Sequence, residues 1–309
     1  MKATGKKPKV SVCVITYNQE KYIRQCLQSI VDQKTNFAFE VIVGDDCSND
    51  GTSQIVLEFS EKYPDIIIPI LNEKKIGGTQ NYVSTHLRAR GEFVAHVDGD
   101  DLLYPGKLQL QSDYLDKNNT LSLVWHCVEM FNDAGIVSCV LQKHLDEVVD
   151  VNNITRKDVL RFGSLGAASS MMYRKSSERY LHEINEDTLD YYFSAMLLEH
   201  GNAARMNSIL GGYRCNVIKT TLSKSAFRYF IKSPMRNLYA KHLKLFYLKD
   251  KSVKDDIFLN SLFNLFVELR FLRHSCLDFL LLVIKTSSFS VIRKVPDYFA
   301  KSIKLRSRQ

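Results

Sequence analysis

Apolar residues in the first third of the chain come in short unbroken runs, each ending in polar or glycine-rich turn residues. Residues 9–16 read KVSVCVIT, 39–45 FEVIVGD, 65–71 DIIIPIL and 92–97 EFVAHV, runs of strand length that favour β-branched side chains. Between them the apolar spacing becomes helical. Tyr22, Ile23, Cys26, Leu27, Ile30 and Val31 follow a helix cap expected at Asn18, and Ile55, Val56 and Phe59 follow the turn Ser48-Asn49-Asp50-Gly51-Thr52. A third helix is expected from the Gly77-Gly78 break to Ala89. Repeated βα units with continuously apolar strands predict an α/β fold, a mainly parallel sheet covered by helices on both faces.

The pattern loosens afterwards. A helix is expected over 107–118, strands over 122–131, 169–174 and 203–210, and a helix over 190–200 closed by Gly201. Beyond Ser225 everything reads as helix, with leucine and aromatic residues interleaved with Lys and Arg. Charge changes at the same place. The net charge of +8 divides into 17 Lys and Arg against 6 Asp and Glu from 225 to 309, and 25 against 28 before it. We therefore expect a boundary at 221–225, with domains 1–224 and 225–309.

The seven cysteines include no CxxC pair, which indicates neither a disulfide framework nor a thiolate zinc site and points to a reduced, cytoplasmic protein. The basic start MKATGKKPKV leads into only seven apolar residues, a first strand rather than a signal peptide. The longest later aliphatic run, FLLLVI at 279–284, is far below the roughly 20 residues of a membrane-spanning helix.

The densest chemistry is FVAHVDGDD, where a buried-type strand ends in Asp98, Asp100 and Asp101. Adjacent carboxylates repel unless something positive lies between them, and a divalent cation is the simplest candidate. An EF-hand loop is excluded, because Leu102, Leu103 and Gln109 stand where it needs an oxygen ligand, a glycine and a glutamate. A haloacid-dehalogenase-type site is excluded because Asn49-Asp50-Gly51-Thr52 lacks its leading aspartate. Two readings remain: an Asp-x-Asp holding Mg²⁺ or Mn²⁺ on the diphosphate of a nucleotide-sugar, or a solvated acidic turn. Ligands of parallel sheets bind beyond the carboxyl ends of strands, where Thr16-Tyr17-Asn18, Asp45-Asp46 and Asp98-Gly99-Asp100-Asp101 are all expected.

SVCVITYNQEKYIRQCLQSIVDQ, FEVIVGDDCSNDGT and GGTQNYVSTHLRARGEFVAHVDGDDLLYPGKL, in that order, closely resemble the nucleotide-binding half of glycosyltransferase family 2. The resemblance is continuous from about Val10 to Leu110, runs more weakly through Asp190 to Tyr213-Arg214, and stops near Ser225. It implies a GT-A fold, a Rossmann-like mixed, mainly parallel sheet between helices, here with a C-terminal α-helical extension. Residues 10–110 would bind the nucleotide-sugar and 111–224 the acceptor. Thr16 and Tyr17 would line the nucleoside pocket, Asp46 would accept a hydrogen bond from a uracil ring nitrogen, and Asp45 would support the turn. Asp100 would be the direct metal ligand, with Asp98 nearer the ribose or donor sugar and contributing to the metal site. Asn81 matches a family asparagine, or serves as a buried helix polar group.

The resemblance also implies inversion, with Asp190 at the start of DYYFSAMLLEHG as the general base and Asp187 and Glu186 as its competitors. Its ordinary alternative is favourable charge in a first helical turn. One departure stands out: many relatives have histidine after Tyr-Arg-x, where this chain has Asn216. His126, His144 and His200 are expected at the surface or partly buried. The activity implied is transfer from a nucleoside-diphosphate sugar, UDP-linked by preference, to a glycan or lipid-linked glycan acceptor in cell-surface polysaccharide synthesis. The basic tail reads either as a solvated face or as a contact with an anionic membrane on its cytoplasmic side. No nucleic-acid motif accompanies the charge, and no GK[ST] loop supports phosphotransfer. The rival from another class is a non-catalytic sugar-nucleotide-binding or scaffold protein.

Overall fold

The computed structural model of the chain describes residues 7–135, 137–140, 144–184, 187–215, 235–269, 276–286 and 289–307. They fall into two compact units. The first comprises Met1–Leu141, Gly166–Asp187 and Met196–Asn216, the second Gln142–Leu165, Thr188–Ala195 and Val217–Gln309. The boundary expected at 221–225 lies outside the described residues.

Among the described residues the first unit is built on a nine-stranded mixed sheet in the order β3-β2-β1-β4-β8-β6-β9-β5, with β7 on β6. Its parallel core is β1 (Val10–Thr16), β2 (Phe39–Asp45), β3 (Ile67–Leu71) and β4 (Phe93–Asp98). β8 (Met172–Arg174) joins β4 antiparallel and leads to β6 (Leu121–Phe131) and β9 (Asn202–Arg214). Two short strands, β5 (Leu102–Leu103) on β9 and β7 (Val137–Val140) on β6, have no counterpart in the sequence pattern.

Strand periodicity sends alternate residues to opposite faces. Val10, Val12 and Val14 join Ile23, Leu27 and Ile30 of α1 (Ile23–Val31) and Val56 and Phe59 of α2 (Thr52–Lys62) in one core. Between them Cys13 faces the other way, its thiol reaching Thr85 O of α3 (Gly78–His86) at 3.9 Å. The sheet is therefore covered on both faces, as the unbroken apolar runs required. Gly44 lets α3 sit close, because a Cβ there would lie 2.0 Å from Thr85 Oγ1. One local expectation fails. Asn18 does not cap α1, which begins at Ile23 on the Gln19 carbonyl, since Asn18 is held at φ 53° bridging to Ser48 and Asn49.

The second unit is helical: α5 (Arg156–Phe162), α6 (Asp190–Leu197, whose last two residues belong to the first unit), α7 (Met235–Lys249), α8 (Lys254–Leu269), α9 (Cys276–Thr286) and α10 (Val295–Ser307). Asn260, fully buried on α8, ties Leu160 O at 2.7 Å and Tyr239 Oη at 2.8 Å, and buried Asp256 pairs with Arg161. No helix among the described residues is long and apolar enough to cross a membrane.

Lys107 opens α4 (Lys107–Lys117) yet is fully buried, its Nζ donating to Gln111 Oε1 at 2.8 Å. His126, expected at the surface or partly buried, is almost wholly buried, with Nε2 lacking a hydrogen bond. Burial and the Lys107 charge hold that imidazole well below its ordinary range. Burial likewise brings Lys107 from 10.5 to about 7. The unfolded chain therefore binds the extra proton between about 7 and 10.5, so this group costs most stability below about pH 7 and releases that cost as pH rises through the window. Lys107→Met is expected to be more thermostable than wild type at pH 6, by up to a few kcal/mol (roughly), with the difference closing near pH 10. Unfolding monitored by circular dichroism across pH checks this, and equal melting curves at pH 6 would count against a buried ammonium.

Candidate functional site

Parallel pairing sets Thr16 opposite Asp45 and Ile15 opposite Asp98, so the ends of three adjacent strands bring their polar residues to one edge. Thr16 is buried, its Oγ1 donating to Gln19 Oε1 at 2.8 Å, while Tyr17 is exposed with Lys75 Nζ 3.8 Å from its ring centroid. Asn18 and Cys47, at φ 53° and 61°, are non-glycine residues in the left-handed region, and both stand at strand ends that form this edge. Such strain concentrates where the surrounding structure over-determines a loop.

Asp45 and Asp46 divide the labour. Asp45 is buried and accepts from the Ser48 amide at 3.3 Å, the Ser48 hydroxyl and Ser53 Oγ at 2.5 Å, which makes it the organiser of the turn into α2. Asp46 Oδ1 accepts from Ile76 N at 2.7 Å and Oδ2 from Gly77 N at 3.0 Å, so it latches the loop ahead of α3. Each Asp46 oxygen, with one such donor, retains acceptor capacity. Asn81 is fully buried, donating to Gly44 O at 2.8 Å and accepting from Asn72 Nδ2 at 3.1 Å, which ties α3 to β2.

The acid cluster is the electrostatic centre. Asp98 is half-exposed, its amide donating to Ser169 Oγ at 2.9 Å and its Oδ1 lying 3.2 Å from His96 Nε2. Behind it, His96 Nδ1 is 3.3 Å from His86 Nε2, and His86 Nδ1 is 2.8 Å from Tyr82 O. Burial, with His96 beside it, holds His86 well below its ordinary range, so that ring is neutral. Burial and the Asp98 charge raise Asp100, against a hydrogen bond from Gln19 and the nearby Arg214 charge. Asp101 is almost wholly buried, with Oδ1 accepting from Arg214 N at 2.7 Å and Oδ2 without a hydrogen bond. Burial and Asp98 raise it well above the ordinary range, the Ser169 hydroxyl and Arg214 amide working the other way. Cys26 beneath is pushed up by burial and these aspartates, so it is a thiol and no thiolate ligand. Gly99 is required by closeness: a Cβ would lie 2.5 Å from Gln19 Oε1 and 3.0 Å from Thr16 Cβ.

Raised carboxylates and an unpartnered buried oxygen fit a positive ion at this edge. Among the described residues no three His, Cys, Asp or Glu side chains converge as a cage for one. Asp98 and Asp100 could supply part of a shell, leaving the rest to ligand oxygens and water, as Mg²⁺ commonly accepts.

Residues 11–179, more than half of the chain, match the family model described as glycosyl transferase family 2. The chain belongs to that family. As a family 2 member it is 27% identical over 243 residues to the Escherichia coli UDP-Glc:alpha-D-GlcNAc-diphosphoundecaprenol beta-1,3-glucosyltransferase WfgD, covering 74% of this chain and 89% of that one. An uncharacterised Mycobacterium tuberculosis protein is 39% identical over 127 residues, 41% of this chain, and the match spans only 37% of that relative's length. Staphylococcus aureus TarS (residues 1–349) in complex with UDP-GlcNAc superposes with a TM-score of 0.62 at 20% identity over 97% of this chain and 89% of that one. The architecture is that of the GT-A fold.

Of the residues singled out in this family 2 chain, Thr16, Tyr17, Asp45, Asp46, Asp98 and Asp100 meet at one edge of the first unit. Asp190 is exposed at the start of α6 and belongs to the second unit. Asp187 is exposed, and Glu186 and Asn216 lie outside the described residues.

The family resemblance implies no role for Arg214, and no sequence pattern marks Gln19, His96 or Ser169. The Arg214 guanidinium, 5% exposed, donates to Asp100 O at 2.9 Å, Gln25 Oε1 at 2.9 Å and Asp133 Oδ1 at 3.1 Å. Its centre lies 4.5 and 4.4 Å from the Tyr22 and Phe131 ring centroids. It pins the end of β9 to the acid loop, a job for a flat five-donor fork. Arg214→Ala is expected to cost about 2–3 kcal/mol, with Arg214→Lys intermediate because the ammonium keeps charge but not the fork. Chemical denaturation measures both, and an Arg214→Lys variant as stable as wild type would remove this role.

Proposed function

We propose that the chain is a metal-dependent inverting glycosyltransferase that moves a sugar from a nucleoside-diphosphate donor, UDP-linked by preference, to a hydroxyl of a lipid-linked or polysaccharide acceptor in cell-surface polysaccharide synthesis. The observation that carries this reading is the acid cluster: Asp98 and Asp100, half-exposed at the strand edge beside Thr16, Tyr17 and Asp46. TarS, which shares the fold, is a structure with UDP-GlcNAc, and the name of WfgD specifies a UDP-Glc donor and a diphosphoundecaprenol acceptor. A cytoplasmic location, peripheral on the membrane's inner face, is part of the reading.

Each side chain then has a task. Tyr17 and Thr16 form the nucleoside wall and Asp46, beyond its latch, offers a lone pair to a base N–H. Asp45 and the buried Asn81 complete the donor site by keeping that wall in place. Asp100, with Asp98, would hold Mg²⁺ or Mn²⁺, and when bound the ion offsets the charge gathering on the departing diphosphate. Asp190 takes the proton from the attacking acceptor hydroxyl.

Two substitutions test the division. Asp100→Asn is expected to abolish Mn²⁺-dependent binding of UDP-sugars, because an amide oxygen carries no charge to offset a cation. Calorimetry showing the same donor affinity in wild type and Asp100→Asn with Mn²⁺ present removes the metal assignment. Asp190→Asn is expected to lower kcat by about 10² to 10⁴ while leaving donor affinity nearly unchanged, since a general base matters chiefly in the transition state. Near wild-type turnover in Asp190→Asn with an inactive Asp187→Asn moves the base by three residues. Donor binding with no transfer or EDTA-sensitive donor hydrolysis in the wild type would favour the non-catalytic binding protein.

A further inference from the structure

The second unit has a helix with two apolar sides. α9 buries Phe279, Leu282 and Thr286 as it packs against α8 and α7. At about 100° per residue these share one side of the helix, and Leu280, Leu281 and Ile284 gather on the opposite side. There they are 42%, 45% and 62% exposed. A surface helix normally carries polar residues on that side. Leu248 is 58% exposed near the end of α7, and the Tyr247 hydroxyl donates to Lys285 O at 3.3 Å, which sets the ends of α7 and α9 together.

Cations border this patch. Lys244, Lys249, Lys251 and Lys285 are all exposed, Lys251 Nζ standing 3.6 Å from the Tyr247 ring centroid. The acids on or next to these two helices are Asp278 in the first turn of α9 and Asp250 just after α7, which faces Arg156 at 3.8 Å. The whole 225–309 region holds 17 Lys and Arg against 6 Asp and Glu.

We propose that the outer side of α9, with the end of α7, is a docking surface for an anionic lipid bilayer. Leu280, Leu281, Ile284 and Leu248 enter the boundary of the acyl chains, and the lysines rest among headgroup phosphates. This arrangement rewards both halves of the pattern, since interfacial helices bind through buried apolar area and through attraction to anionic lipid together. Eleven residues, about 16 Å of helix, lie along an interface and cannot cross it. A second copy of the chain is the poorer occupant, because it would bring two lysine borders together. The inference refines the peripheral location proposed above and is independent of the chemistry at the strand edge.

The test uses the full chain with vesicles of equimolar phosphatidylglycerol and phosphatidylcholine, and with phosphatidylcholine alone. Wild type is expected to sediment with the anionic vesicles at low salt and to be released by salt. The double variant Leu281→Glu/Ile284→Glu is expected to bind at least about tenfold more weakly. Lys249→Gln/Lys285→Gln should weaken binding to the anionic vesicles alone. Thermal melts and UDP-sugar calorimetry on the same samples show whether each variant is folded and whether the donor site stands or fails separately. Unchanged sedimentation of the folded Leu281→Glu/Ile284→Glu variant overturns the proposal. So does a wild-type dimer, seen by light scattering, that ignores vesicles and is split by that variant.

Discussion

Three carboxylates within four residues, at the end of a strand buried on both faces, set the strictest condition in this molecule. Burial and mutual repulsion both oppose their charge, and each neighbour can be understood as a partial answer. The Arg214 amide meets one oxygen of Asp101, its side chain holds the carbonyl of Asp100, and Gln19 reaches Asp100 from the first strand's loop. Gly99 gives the room for that approach. What these groups leave unanswered is the Asp101 oxygen with no hydrogen bond and the raised Asp100 carboxyl, a remainder that a positive charge would suit.

The sheet makes this arrangement inexpensive to specify. Parallel strands end at a common edge, so Thr16, Asp45 and Asp98 need no long-range placement beyond correct pairing of β1 with β2 and β4. Rigidity behind the edge comes from buried polar links: Asn81 to Gly44, Ser169 to Asp98, and the His86 and His96 pair that backs Asp98. Buried groups of this kind hold geometry well because leaving any of them unpaired is costly. The helical unit is stabilised in the same manner by Asn260 and Asp256, while its exposed leucines obey no requirement of its own core.

Much was legible without coordinates. Unbroken β-branched runs with turn-forming ends dictated a doubly covered, mainly parallel sheet, because such strands have no polar face to show to water. Local pattern also located the acid loop, since the order strand, turn, helix decides which residues stand at strand ends. The roles of individual polar residues were less accessible. Asn18 looks like a cap, yet a left-handed backbone and a bond to the neighbouring loop redirect it. Nothing local distinguishes Asp101, which turns inward to an amide 113 residues away, from Asp98, which turns toward solvent.

The sequence by itself determined the strands, the helices around them and the chemistry concentrated at Asp98 to Asp101, because these depend on periodicity and on contacts within a few residues. Tertiary structure alone decided which polar groups are spent on the fold and which remain for a ligand. Lys107 in the core, Arg214 under the acid loop and the His86 and His96 pair owe their positions to burial and to partners brought together by sheet pairing and helix packing. Desolvation and long-range hydrogen bonds act only after the chain has closed on itself, so no local pattern announces them.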